Sequence, residues 1–217
     1  MSKGALELPC LENATSISLD LGFLVLALPP AGTFARLTEL VLRRVRFHGP
    51  SVLGDFVSSP QCPWLQKLDV RDVSGLVNLT VQSEYLLNVE LRRLGELRQL
   101  IIDAPGLKEL KLLNNYFYRN HHTADLSAPQ LVSLELSDPY VPSSIQLGNM
   151  ELLQRLTTSF FLVYGREGFP SNKTILELLT RFRDIQKLTF ALAFPQVFGK
   201  KASELNRRFR LWCSWAS

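Results

Sequence analysis

The chain has few cysteines: Cys10, Cys62 and Cys213 are the three among its 217 residues, and they lie far apart. No two of them form a Cys-x-x-Cys pair, so the sequence predicts no zinc site. No other metal site and no cofactor is indicated. An odd, sparse cysteine content is typical of a reducing compartment, and we therefore expect a cytoplasmic or nuclear protein, or one found in both.

Long apolar runs are missing as well. No apolar stretch follows Met1 to Gly4, so no signal peptide is predicted. The most apolar run, from Leu19 to Leu28, contains Asp20 and has half of the roughly 20 residues that a membrane-spanning helix needs. The net charge of +4 is small, whereas nucleic-acid and membrane binders usually carry a dense basic patch.

Catalytic motifs are also absent. The sequence contains no GxSxG, HExxH or P-loop pattern, and its histidines are His48, His121 and His122 alone. Cys62 precedes Pro63 at the predicted entry to a strand, where we expect it to be buried and therefore a poor nucleophile. We predict no enzyme activity and no catalytic residues.

Leucine, by contrast, recurs in one pattern: an apolar residue, two variable ones, an apolar residue, one variable one and an apolar residue. The best copies span residues 37–42, 107–112 and 131–136. With looser copies, the pattern starts at positions 14, 37, 65, 86, 107, 131, 153 and 185. Most of the intervals fall within the roughly 20–29 residues of a leucine-rich repeat.

This pattern predicts a solenoid. The last two apolar positions of each copy are two residues apart, so a β-strand directs both side chains to the same face. One strand cannot bury that face alone, but parallel stacking of successive strands builds a continuous core. We predict a β-rich α/β fold, a leucine-rich-repeat solenoid of seven to eight repeats over residues 1–195, with a basic tail or capping helix at 196–217.

A second series of the same pattern is offset from the first, with copies at 76–81 and 97–102. The combined starts at 65, 76, 86, 97 and 107 alternate by eleven and ten residues, which is too short for a strand, a helix and two turns. We therefore predict parallel strands on the concave side and, in the middle of the solenoid, on the convex side also. Further convex strands are expected near Leu126 and at 145–147.

Helices are expected only in the longer intervals, at 51–58 and 173–184, where apolar residues have helical spacing. Many such repeats carry an asparagine at the ninth position of the motif, and here it occurs once, as Asn115. The equivalent positions elsewhere hold Val45, Val73, Leu94 and Pro139. Those turns must be closed by other means.

Four stretches that lead into the predicted strands have a distinctive character: residues 8–19, 34–40, 62–68 and 128–134. The last two read Cys-Pro-Trp-Leu-Gln-Lys-Leu and Ala-Pro-Gln-Leu-Val-Ser-Leu. They resemble the repeat region of plant F-box/leucine-rich-repeat proteins, in particular the grass set that often carries an FBD tail. The resemblance covers about residues 8–195.

The resemblance implies the substrate-holding part of a receptor for a cullin–RING ubiquitin ligase. In that family an N-terminal F-box bundle docks on a Skp-type adaptor, and the repeats hold a protein substrate. Nothing before Leu8 resembles an F-box, and the tail after Pro195 does not resemble an FBD module. We therefore expect a protein substrate or target as partner, and a Skp-type adaptor only if a longer form carries an F-box.

The outward face of the concave strands is the first candidate binding surface, and the motif predicts three columns of side chains on it. The first column reads Glu39, Lys67, Asn88, Glu109, Ser133 and Arg155. The middle column reads Val41, Asp69, Glu90, Lys111, Glu135 and Thr157. The third reads Arg43, Arg71, Arg92, Leu113, Ser137 and Ser159. Partner contacts are predicted for Arg43, Lys67, Asp69, Arg71, Asn88, Glu90, Arg92, Lys111 and Glu135.

The three arginines of the third column would stack about 4.8 Å apart. Two interpretations stay open: Asp69 and Glu90 neutralise them within a polar face, or the stripe binds carboxylates or phosphates of a partner. The loop at 114–122 is a second candidate surface, because its composition matches binding hot spots. Its predicted contacts are Tyr116, Phe117, Tyr118, Arg119, His121 and His122, unless Phe117 and a tyrosine fold back onto the core.

Two other functions remain as alternatives to the substrate-holding one. The chain could be a standalone repeat scaffold that has no connection to ubiquitin. The tail also combines Lys200, Lys201, Arg207, Arg208 and Arg210 with aromatic residues, which is compatible with binding RNA or an acidic membrane surface. We favour a helix that caps the last repeat, because a solenoid needs such a cap.

Overall fold

The computed structural model describes residues 4–29, 32–49, 52–58, 61–115, 122–138, 140–162, 172–182 and 184–193. The predicted tail at 196–217 and residues 116–121 of the aromatic loop lie outside these ranges. The strands are, in chain order, β1 (Ala5–Glu7), β2 (Ser16–Ala27), β3 (Glu39–Arg46), β4 (Lys67–Arg71), β5 (Asn78–Gln82), β6 (Asn88–Arg92), β7 (Gln99–Asp103), β8 (Glu109–Leu113), β9 (Thr123–Ser127), β10 (Ser133–Leu136), β11 (Ile145–Leu147), β12 (Arg155–Leu162) and β13 (Lys187–Ala193).

These strands form two parallel sheets. The larger has nine strands in the order β1-β2-β3-β4-β6-β8-β10-β12-β13, and the smaller has four in the order β11-β9-β7-β5. We call them the concave sheet and the convex sheet, because the strand of each repeat lines the inside of a leucine-rich-repeat solenoid. The predicted solenoid and its strands on both sides are confirmed. Each of the eight motif copies leads into one concave strand, and the series begins with β2.

A single hydrophobic core lies between the two sheets, and the repeating leucines fill it. The first apolar position of the motif is buried at Leu37, Leu65, Leu86, Leu107, Leu131 and Leu153. The two strand positions are buried too, as at Leu40 and Leu42. The offset copies contribute Leu79 and Leu100 from the convex side. Burial of one face of every strand is the main stabilisation expected for a stacked solenoid.

Two helices occupy the longer intervals. Helix α1 (Val52–Val57) replaces a convex strand and packs against β5 so closely that a side chain at Gly54 would approach the carbonyl oxygen of Thr80 to 2.6 Å. Helix α2 (Asn172–Arg181) follows β12, and the Arg181 guanidinium donates hydrogen bonds to the carbonyls of Leu147 and Gly148. Both predicted helices are confirmed, and no described helix is long and apolar enough to cross a membrane.

A recurring turn leads into the concave strands. The backbone N–H of Leu65 donates to the carbonyl of Cys62 at 3.2 Å, and the same bond recurs at Leu37, Leu107, Leu131 and Leu153. Proline stands at the second position of three of these turns, where its fixed φ favours the turn. The Cys-Pro-x-Leu and Ala-Pro-x-Leu sequences are therefore turn signals, and we call this edge of the solenoid the entry edge.

The turns that follow the concave strands, which we call the exit turns, are closed by a left-handed backbone conformation. In the four repeats of β3, β4, β6 and β8, one residue has a left-handed backbone, with φ of 50° at Arg44, 55° at Asp72, 55° at Arg93 and 56° at Asn114. These residues directly precede the positions that hold Val45, Val73, Leu94 and Asn115. The left-handed residue reverses the chain direction without an asparagine ladder, which is the alternative closure that the sequence required.

Asn115 performs the role that the motif predicts for it. The side chain is fully buried; its Oδ1 accepts a hydrogen bond from the N–H of Leu94 at 3.0 Å, and its Nδ2 donates to the carbonyl of Leu91 at 2.9 Å. Its own N–H donates to the Asp138 carboxylate at 2.7 Å. Three repeats are thereby joined at one turn.

The ends of the sheet differ from the sequence prediction. Strand β1 was not anticipated; its short apolar segment pairs with the second half of β2, after the irregularity at Gly22 and Phe23. Leu188 and Phe190 were expected in the core but are exposed by 39% and 47%. They lie on β13, the last strand of the sheet, and no later repeat within the described ranges covers them.

We expect Asn115→Ala to lower the free energy of unfolding by roughly 2 kcal/mol or more, because it leaves the N–H of Leu94 and the carbonyl of Leu91 buried without partners. Urea denaturation followed by circular dichroism measures this. The matched control is Asn149→Ala at an exposed asparagine, which should change stability by less than about 0.5 kcal/mol. Equal effects of the two substitutions would contradict the role assigned to Asn115.

Candidate functional site

The three predicted columns exist, and the backbone register aligns them. Glu39, Lys67, Asn88, Glu109, Ser133 and Arg155 are successive Cα partners across β3 to β12. The middle column from Val41 to Thr157 and the arginines of the third column align in the same way. The register also extends the columns onto β2 and β13, adding Ser16, Ser18, Asp20, Lys187 and Thr189.

The arginines of the third column alternate with carboxylates of the middle column, and ion pairs connect them in a zigzag. Asp69 lies 2.6 Å from Arg71 and 3.8 Å from Arg43. Glu90 lies 3.1 Å from Arg71 and 3.4 Å from Arg92. Three guanidinium groups therefore share two carboxylates, and the cluster keeps one positive charge in excess. We call these five residues the arginine zigzag.

The two ends of the arginine zigzag are less engaged than its centre. Arg71 is held between both carboxylates and is 28% exposed, whereas Arg43 is 47% exposed and reaches its carboxylate only at the long distance of 3.8 Å. Arg92 is 36% exposed and lies 3.4 Å from Glu90. Arg43 and Arg92 thus keep donor capacity for an anionic group, while Arg71 mainly holds the cluster together.

Four members of the predicted columns are covered rather than solvent-facing. Val41, Asp69, Leu113 and Ser137 lie on the outward face as predicted, but these residues are only 4% to 7% exposed. The Asp69 carboxylate is covered by the two arginines that it pairs with. The motif gives the face on which a side chain lies, but long neighbouring side chains decide how much of it water reaches.

The first and middle columns carry their own pairs. Lys67 lies 2.6 Å from Glu39, and this contact holds the pKa of the Glu39 carboxyl below its usual range. Glu109 accepts hydrogen bonds from Asn88 at 3.1 Å and, from two strands away, from Arg155 at 3.2 Å. A looser pair joins Lys111 to Glu135 at 4.0 Å. Every charged residue of the concave sheet that was predicted to contact a partner therefore already has a neighbour of opposite charge.

A fourth column lies beside the third and was missed by the sequence analysis. The left-handed residues Arg44, Asp72, Arg93 and Asn114 form it. Arg93 binds both carboxylate oxygens of Asp72 within this column, and Arg44 donates two hydrogen bonds of 2.7 Å to Asp20 of the third column. These contacts lower the pKa of both aspartates. The signal was present in the sequence, because each residue directly precedes the asparagine position of its repeat.

Residues of the first three columns line a depression in the concave sheet with a volume of about 530 Å³. Its walls run from Ser16 and Ser18 on β2 to Lys111 on β8. They include four residues of the arginine zigzag, all but Arg92. The surface is broad, polar and of mixed charge. Such a surface is suited to the side chains of a macromolecule rather than to a small apolar ligand.

Comparison with known proteins agrees with the repeat architecture. The model of the family described as "FBD-associated F-box protein At5g56370, LRR repeats" matches residues 5–163. The chain belongs to this family. A relative from Arabidopsis thaliana, described as putative F-box/FBD/LRR-repeat protein At4g03220, is 27% identical over 158 residues.

The match to that relative covers 70% of this chain and 31% of the relative, so the chain spans about a third of its length. No solved structure gives a significant match to the chain. The family match confirms the resemblance to FBD-associated F-box repeats and indicates a protein-interaction role. It ends at residue 163, before helix α2 and strand β13 of this FBD-associated repeat chain.

The remaining predicted site residues have different outcomes. Of the aromatic loop, Tyr116, Phe117, Tyr118, Arg119 and His121 lie outside the described residues, so their predicted contacts stay predictions. His122 is described and is partly buried just before β9.

Cys62 is fully buried, as expected, and burial raises the pKa of its thiol to about 12, so at neutral pH it is not a thiolate nucleophile. Within the described ranges, no group of three or more His, Cys, Asp and Glu side chains is arranged to hold a metal ion.

The Asp72–Arg93 pair predicts an acid-dependent loss of stability. The folded pKa of Asp72 lies below the unfolded value near 3.8, so its stabilisation is present above that pH and is lost as the pH falls through the folded pKa. Asp72→Asn keeps the preference for a left-handed backbone and removes the charge. It should lower the free energy of unfolding by about 1 kcal/mol or less near pH 6 and by a smaller amount near pH 2.

Urea titrations at the two pH values measure this difference. Asp125→Asn, at an exposed carboxylate on the convex sheet, is the control and should have little effect at either pH. If Asp72→Asn costs as much in acid as near neutrality, the carboxylate does not stabilise the exit turn through its charge.

Proposed function

We propose that the chain holds a protein partner on its concave sheet and serves as the substrate-recognition part of a cullin–RING ubiquitin ligase receptor. One observation carries the first half of this proposal: side chains of mixed charge stay in register across the outward face from β2 to β12. Such a continuous face has no role in the core, which lies on the other side of the same strands.

The dimensions of the concave sheet fit an extended or helical segment of a partner. Nine strands span eight intervals of roughly 4.8 Å, so the face is on the order of 40 Å long. An extended chain of about a dozen residues covers that length. The strands keep a rigid backbone beneath the face, so the side chains are pre-organised before a partner arrives, which reduces the entropic cost of binding.

The chemistry of the arginine zigzag indicates what the partner brings. The cluster has an excess positive charge, and its two ends, Arg43 and Arg92, are more exposed and lie farther from their carboxylates than Arg71. A partner carboxylate or phosphate between these ends would complete the alternation of charge. Displaced water and internal pairs offset part of that gain, so the zigzag contributes specificity more than affinity.

The connection to ubiquitin rests on the family and on the relative, whose descriptions name an F-box and an FBD region. In this proposal the repeats select the substrate, and an F-box, where one is joined to them, would dock on a Skp-type adaptor. The site of action would be the cytoplasm, the nucleus or both. A repeat scaffold without a ubiquitin connection would use the same concave face, so experiments must test the two halves of the proposal separately.

The binding half is tested with Arg43→Ala/Arg92→Ala, which leaves Arg71 paired with both carboxylates and so preserves the centre of the zigzag. A protein captured from plant extract by the wild-type chain should bind this double variant about tenfold more weakly, because two charge-assisted contacts are lost. Binding affinity is measured with the purified partner. Circular dichroism checks that the variant is folded.

The matched control is Arg36→Ala/Arg98→Ala, which removes the same charge from two exposed arginines outside the zigzag. Its affinity should equal that of the wild type. Equal weakening by both double variants would mean that only net charge matters, and an unchanged affinity of the zigzag variant would overturn its assignment as a contact surface.

The ubiquitin half is tested by the lifetime of the same partner in plant cells after protein synthesis is blocked. Deletion of the gene for this chain should lengthen the partner's lifetime. Inhibition of cullin activation should also lengthen it in unmodified cells, but it should cause no further increase in cells that lack the gene. A lifetime that is unaffected by both treatments, while binding persists, would leave a scaffold without a role in degradation.

A further inference from the structure

A second surface lies on the entry edge, away from the outward face of the concave sheet. Trp64 and Tyr85 occupy equivalent positions of the entry turns before β4 and β6, one repeat apart. Their rings lie against each other, with centroids 4.7 Å apart and planes tilted by 47°. Trp64 is 50% exposed and Tyr85 is 43% exposed, although aromatic residues of this size are usually well buried.

The next repeat has a glycine at the same turn position, Gly106. A side chain there would approach the carbonyl oxygen of Glu84 to 2.7 Å, so only glycine fits between these stacked turns. A depression of about 590 Å³ lies beside Tyr85, between this turn and the neighbouring ones. Pro63 and Pro105 line the depression from its two neighbouring turns.

The chemistry of this depression is apolar with acidic margins. Glu84 and Asp103 line it, both are exposed, and in the part of the chain that the structure describes neither forms an ion pair. This distinguishes them from the acidic residues of the concave strands β2 to β10, each of which has a basic neighbour. Ser83 forms part of the lining, and its hydroxyl is buried with no hydrogen-bond partner among the described residues.

We infer that this depression docks an arginine, flanked by proline, in an extended segment of a partner protein. A guanidinium plane stacks on the faces of Trp and Tyr rings, and it can bind a carboxylate through two hydrogen bonds at once. Proline-rich segments dock on aromatic-lined grooves because their conformation is already extended before binding. The two unpaired carboxylates supply the charge complement that selects a basic residue over a neutral one.

The proposed arginine site is separate from the concave face, and binding there does not depend on binding to that face. The entry edge joins the ends of β5 and β7 to the starts of β6 and β8, whereas the arginine zigzag lies on the outward side of the sheet. A partner could engage both surfaces, but either can fail in an experiment without the other. Substitutions in the zigzag therefore serve as a control for substitutions at the entry edge.

The test is fluorescence anisotropy of a labelled peptide of alternating arginine and proline, titrated with the full chain. The peptide should bind saturably, and both Tyr85→Ala and Glu84→Gln/Asp103→Asn should weaken binding about tenfold or more, because both remove side chains that line the depression. A peptide with citrulline in place of arginine keeps the shape but loses the charge, and it should also bind about tenfold more weakly.

Two control variants distinguish binding at this depression from nonspecific binding elsewhere on the chain. Leu152→Ala changes an exposed residue at the equivalent turn position before β12, and Arg43→Ala/Arg92→Ala changes the zigzag; both should bind the peptide as the wild type does. The proposal is overturned if the wild type shows no saturable binding, if Tyr85→Ala binds unchanged, or if the citrulline peptide binds equally well.

Discussion

The structure depends on one constraint, the parallel in-register pairing of successive repeat strands. Because Glu39, Lys67 and Asn88 are direct partners across three strands, each motif position forms a column that runs along the solenoid. The inward columns become the leucine core, the outward columns become a polar face, and the turn positions become two edges. A slip of one residue would exchange the core side chains with the polar ones, so burial of the leucines enforces the register.

The register brings like charges together and so requires compensation. Arginine at the third column of three neighbouring strands would be repulsive, and the carboxylates of Asp69 and Glu90 in the adjoining column offset it. The same solution recurs at the exit turns, where Asp20 and Asp72 pair with arginines of the following repeats. Charge pairs between repeats thus contribute little to the stability of the stacking. Their main effect is to fix the arrangement of charges on the surface.

The sequence predicted the two sheets, the eight strand starts and the outward columns, because a two-residue period and a repeat length determine all of them. It did not predict the zigzag geometry or the burial of Asp69, since these depend on how long side chains bend toward neighbours. The left-handed exit turns and the stacked Trp64–Tyr85 pair were also missed. Their signals are visible only when equivalent turn positions of adjacent repeats are compared, as with Trp64, Tyr85 and Gly106.

The central claim is that a protein partner lies on the concave sheet, and site-specific photo-crosslinking tests it most directly. A photoreactive residue is placed at Asn88 on concave strand β6 or at Gln99 on convex strand β7, two amide side chains near the middle of the solenoid. The account predicts that the partner crosslinks at position 88 and not at position 99. Crosslinking at position 99 with none at position 88 would contradict it.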